Sequence, residues 1–189
     1  MTASTTRHPD PPAARGAAAL LLFVACICGG GAASAADASD AAAYNKVFFE
    51  TFMTRCLFSA HSGRGYVTEG MVRLDEQASA PWLAGAPGRV WVPDPAMRVL
   101  LIVREGAGCS VVSQTGDVKA IEDTIAHWFD GTGSPFTRDS FERAADGGFT
   151  SRYRSNCTGG TLCSVVFSAS PPRGPGGVAL MATAARVTP

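Results

Sequence analysis

Asp123 and His127 are the chain's nearest approach to a catalytic pair. They stand four residues apart in a stretch, Val118 to Trp128, whose apolar residues recur at helical spacing, so both side chains fall on one side of a helix. There a carboxylate can orient an imidazole, and the imidazole can take a proton from water or a hydroxyl. A small hydrolase using His127 with Asp123 is the chemistry that this spacing offers. The structural alternative for the same residues is a helix-surface ion pair, or a histidine packed beside Trp128.

Little else in the chain supports that chemistry. Glu122 lies beside the pair, but zinc takes three or four ligands, and no H-E-x-x-H helix or Cys/His cluster supplies the rest. No G-x-S-x-G elbow occurs, and His61-Ser62 and Ser110 to Ser113 offer hydroxyls at no spacing that implies a base. Gly63-Arg64-Gly65 and Gly106-Ala107-Gly108 lack the strand–loop–helix order that aims N–H groups at a phosphate, so they are turns. No metal site and no cofactor site is expected. Arg138, Arg143, Arg152 and Arg154 form a candidate anion-binding patch if a third helix packs near the fourth strand. Arg152 and Arg154 share one strand face by the period of two, opposite Tyr153; the alternative is the solvated side of an outer strand.

The compartment is more legible than the chemistry. Arg7 and Arg15 precede an apolar run of about a dozen residues, Ala17 to Cys28, and small residues Gly29 to Ala36 follow with Ala33-Ser34-Ala35 as an A-x-A site. This pattern predicts a signal peptide over 1–35 and a single α+β domain over 36–189, ordered over about 41–188. The run is shorter than the roughly 20 residues that cross a bilayer, so no transmembrane helix is expected in the mature chain. Phe23-Val24-Ala25-Cys26 offers a second outcome, a lipoprotein tethered through Cys26. The expected location is therefore the periplasm or the extracellular space.

Cleavage after Ala35 leaves 154 residues (189 less 35) and lowers 16 basic and 16 acidic residues to 14 and 15, a formal charge of −1. A near-neutral chain with only two lysines, Lys46 and Lys119, carries no footprint for nucleic acid. Cys56, Cys109, Cys157 and Cys163 remain, an even number that predicts disulfides in an oxidising compartment. Three pairings are possible. Cys56–Cys109 with Cys157–Cys163 is favoured, because Thr158 to Leu162 suits a turn joining two strand ends. Neither spacing is C-x-x-C, so a redox-active pair is the weaker alternative.

These residues need a scaffold. Asp40 predicts a helix cap, with a helix over about Ala41 to Ser59 carrying the rows Tyr44, Phe48, Phe52, Cys56 and Phe49, Met53, Leu57. A short helix over Tyr66 to Gln77 and a loop over Ala78 to Gly88 follow. Strands are expected at Arg89 to Val92, Arg98 to Arg104 and Cys109 to Ser113. Asp117 caps an amphipathic helix with Val118, Ile121, Ile125 and Trp128 on its inner face, and a helical turn is expected at Arg138 to Ala145. Strands at Phe149 to Asn156, Leu162 to Ser170 and Val178 to Val187 close the chain. The expected fold is α+β, a disulfide-stabilised antiparallel sheet of about five to six strands with helices packed on one face.

Phe48-Phe49-x6-Cys56-Leu57, Gly108-Cys109-Ser110-Val111-Val112 and the closing Cys157/Cys163 pair resemble small exported proteobacterial proteins of unassigned function, some described as lipoproteins. The resemblance implies an envelope location and assigns no activity to any residue. The sequence thus points to an exported, disulfide-stabilised, non-catalytic module for an unknown protein or small ligand in the cell envelope. The expected pocket lies between the aromatic first helix and the sheet, and the hydrolase using His127 with Asp123 is the alternative.

Overall fold

A computed structural model describes residues 35–96, 98–172 and 177–187. The expected leader lies outside these residues except for Ala35, and so does Cys26. The first helix does not wait for Asp40. It starts in the alanine-rich segment as α1 (Ala35–Thr51), continues through a π-helical segment (Phe52–Leu57) and ends as α2 (Phe58–Ser62). In a regular α-helix a four-residue step overshoots a full turn by about 40°. The wider π turn takes up that overshoot, so Phe48, Phe52 and Cys56 all remain buried against the sheet.

The sheet has eight strands. β1 (Val72–Arg73), β2 (Gly88–Val92), β3 (Val99–Arg104) and β4 (Gly108–Ser113) form one antiparallel meander. The chain then crosses through α4 (Val118–Phe129) to the far edge and returns as β5 (Thr137–Arg143), β6 (Phe149–Asn156), β7 (Leu162–Ala169) and β8 (Leu180–Val187). The last strand docks on β4, with Val111 opposite Ala182, giving the order β1-β2-β3-β4-β8-β7-β6-β5. Ala182 and Ala184 are buried at this seam, and such small side chains let the long helix approach it closely.

Two corrections to the expected fold follow. The strand count is eight, not five to six, because Arg138 to Ala145 is no helical turn: β5 pairs with β6 there, and short β1 adds a strand at the opposite edge. Nor do the helices share one face. The helix expected over Tyr66 to Gln77 does not form, since β1 lies within that segment; α3 (Glu76–Leu83) starts at its end and runs into the expected loop, after Asp75 accepts a hydrogen bond from the Ala78 N–H at 2.8 Å. Side chains alternate along β3, so Val99 and Leu101 join the core under α1 and α4, while Ile102 turns to the other face. There it meets Val90 and Val112, and Trp82 and Leu83 of α3 cover this second, smaller core.

Both favoured disulfides form. Cys56–Cys109 ties the π segment to β4 and Cys157–Cys163 closes the β6–β7 turn, each with Cα atoms 5.6 Å apart. The short bridge also finishes the first helix. Thr158 donates to the His61 carbonyl from its N–H at 3.1 Å and from its hydroxyl at 2.8 Å, and Arg186 binds Thr161 Oγ1 with Nε at 3.0 Å. The two Thr158 donors satisfy the His61 carbonyl that the helix end leaves open. Gly63 ends the helix in the left-handed conformation, and a Cβ there would strike the Arg186 guanidinium. Two disulfides suggest a protein that lies outside the cytoplasm. Among the described residues, no helix is long and apolar enough to cross a membrane.

Candidate functional site

The structure places His127 and Asp123 on the outer side of α4, both exposed. Asp123 is taken by Lys119, one turn earlier, and this hydrogen bond raises the lysine's pKa. His127 stands with its ring edge-on to Trp128, centroids 5.9 Å apart. Glu122 pairs with Arg143 of β5. Each acid near the imidazole therefore has a cation of its own. His61 sits at the helix end under the Cys157–Cys163 turn, with its carbonyl engaged by Thr158. Among the described residues, no three His, Cys, Asp or Glu side chains gather as metal ligands would.

The four candidate arginines do not gather either. Arg138 and Arg143 lie on the helix side of β5, opposite Tyr153 and Phe149, and bind Asp130 and Glu122. Arg152 and Arg154 project from the other face of β6, where Arg154 pairs with Asp139 at 2.8 Å. Arg138 also places Nε and Nη2 each 3.2 Å from the Tyr153 hydroxyl, which lies 3.4 Å from Asp130 Oδ2. Burial raises the pKa of this hydroxyl, and its hydrogen bond with Arg138 partly offsets the rise. The group fastens β5 and β6 to the end of α4.

The feature that fits a ligand lies between α1 and α4. The sheet side of α1 is filled: Phe48 and Phe52 are buried, and Phe52 meets Phe167 edge-on with centroids 5.0 Å apart. The hollow expected between the first helix and the sheet is packed core, and the open groove is on the helices' outer side. Its volume is about 490 Å³, and Phe49, Met53, Trp128, Ala42, Ala120 and Thr124 line it.

Why Trp128 is free follows from the helix itself. Ile121, Ile125 and Phe129 complete a four-residue stripe and are buried, whereas Trp128 sits beside that stripe and is 56% exposed. The sequence placed Trp128 on the inner face; Phe129, which packs on Phe136, Tyr153 and Phe167, holds that place. Trp128 instead leans toward Phe49, ring centroids 6.3 Å apart.

Asn45 holds the other end of the groove. Its side chain is buried and bonds the backbone of Asp117 twice, while Asp117 caps α4 by accepting from the N–H groups of Lys119 at 2.9 Å and Ala120 at 3.0 Å. The spacing of the two helices is thus set before any ligand arrives. Sequence reasoning missed Asn45, whose only signal is a polar residue inside an otherwise apolar helix face. The rim carries Lys46 and Glu50, 3.9 Å apart and well exposed, a pair that adds little stability.

Comparison with protein-family models, with curated proteins and with solved structures finds no match for this chain.

Proposed function

We propose that this protein is an exported, disulfide-stabilised binding module of the cell envelope that takes an apolar small ligand in the groove between α1 and α4. One observation carries the reading: a tryptophan more than half exposed packs against Phe49 and forms one wall of an apolar groove between α1 and α4. Large aromatic side chains are mostly covered in a folded chain, and an apolar hollow of this volume lies within the range of small-molecule sites. Asn45 and Asp117 keep the groove open without filling it. Periplasmic or extracellular location, and the alternative tether through Cys26, belong to the same proposal and rest on the leader pattern and the disulfides. Intact mass from the native host tests the location: a start at Ala36 supports release, and a lipid adduct on Cys26 supports the tether.

The groove is tested with prodan, an uncharged naphthalene dye that brightens on apolar surfaces. The folded wild type is expected to bind it in the groove, and Trp128→Ala to lose that binding while its unfolding midpoint stays close to the wild type. Equal binding by the two proteins contradicts the reading.

A further inference from the structure

The sheet face opposite the long helix carries a second hollow, and its two ends differ in chemistry. Helix α3 covers Val90, Ile102 and Val112, and Val92 and Leu100 continue the same face beyond them. These two, with Leu74 and Trp82, line an apolar hollow of about 360 Å³, and Val72 on the edge strand is 52% exposed at its rim. The other end is polar. Arg98 and Gln114 flank the start of β3 and the end of β4, and the Gln114 N–H donates to the Arg98 carbonyl at 3.2 Å, which sets the two residues side by side. Both also line the hollow.

The arginine at that end, Arg98, has no ion-pair partner among the described residues. Asp94, in the neighbouring turn, accepts from the Ala96 N–H at 2.9 Å and is not paired with Arg98. An apolar body that ends at a guanidinium and an amide matches a ligand with a hydrocarbon chain and one terminal anion. A guanidinium binds a carboxylate through paired N–H donors, and an amide N–H₂ adds a third. From this segregation we propose that the hollow binds a medium-chain fatty acid, with the acyl chain along Leu100, Val92 and Trp82 and the carboxylate on Arg98 and Gln114. The site is separate from the groove between α1 and α4, and neither depends on the other.

The test is calorimetric titration of the full mature chain with decanoate, with 1-decanol and decyltrimethylammonium as matched chains without the carboxylate. Decanoate is expected to bind more tightly than both. Arg98→Gln, an exposed change that leaves the near-ultraviolet dichroism unaltered, should weaken decanoate about tenfold and leave decanol unchanged. Trp128→Ala should not alter decanoate binding, and amide shifts should centre on Val92, Leu100 and Gln114. The proposal is overturned if wild type does not bind decanoate, if decanol binds equally well, if Arg98→Gln has no effect, or if the shifts centre on Phe49 and Trp128.

Discussion

The side-chain amide of Asn45 holds the backbone of Asp117 from both sides, donating from Nδ2 to the carbonyl at 2.9 Å and accepting from the N–H at 3.0 Å. The residues are 72 positions apart, and Asn45 is only 7% exposed. One side chain therefore joins the long helix to the cap of α4. Asn45→Ala should cost about 2 kcal/mol, since two hydrogen bonds go and their backbone partners stay partly buried. Urea unfolding checks this, with a lower midpoint and an unchanged slope expected. The same variant should bind the dye more weakly, because the groove loses its fixed width.

Neighbouring aromatics on α4 should respond in opposite ways. Phe129→Ala empties a site in the core and should cost about 3–5 kcal/mol. Trp128→Ala should cost well under about 1 kcal/mol, because the ring is half in water, yet remove the groove's outer wall. Paired urea melts and dye titrations separate the two. Equal destabilisation by both substitutions would show that Trp128 belongs to the core.

The disulfides should differ in weight. In the chain-entropy treatment, the Cys56–Cys109 bridge, spanning 53 positions, is worth about 4 kcal/mol and Cys157–Cys163, spanning 6, about 2. Replacing each pair by serine and comparing urea midpoints tests the order. Loss of the short bridge should also raise amide exchange near His61, whose carbonyl Thr158 holds.

Stability should fall in alkali. Burial raises the pKa values of Tyr153 and Tyr66 above the ordinary 10.0. The folded state thus favours the neutral phenols; their contribution is complete below about pH 10 and is lost as pH rises through the higher folded values. Unfolding free energy measured from about pH 8 to pH 11 should show this decline, reduced in Tyr153→Phe. A stability that stays flat over that interval would contradict the buried hydroxyl.

The fold was legible where apolar period and caps agreed. Asp117, with Ile121 and Ile125 behind it, announced α4, and the apolar run Val99 to Val103 announced β3. β5 was not legible. Thr137 to Arg143 holds one large apolar residue, Phe141, and a register shift between Arg138 and Ser140 breaks its alternation. An edge strand pairs on one side only and gains from charge there, so it hides from a search for apolar pattern. α3 was misplaced because Gly70 only weakened a helix expected over Tyr66 to Gln77, whereas the cap that starts α3, Asp75, lies near the end of that segment. At the site, the aromatic content of the first helix suggested a pocket, but local spacing did not show which side the sheet would fill. Phe129 and Trp128 are adjacent and similar in kind, and only the neighbouring Ile121 and Ile125 stripe decides which of them turns inward.

The central claim is that the Trp128 side of the α1–α4 groove binds an apolar ligand. Trp82→Phe with Trp91→Phe leaves Trp128 as the sole tryptophan, so its fluorescence can be followed as the naphthalene dye is added. The account predicts a saturable change, energy transfer from Trp128 to a single bound dye, that Phe49→Ala weakens. A Trp128 signal that stays constant while the dye binds elsewhere, or no binding at all, would contradict it.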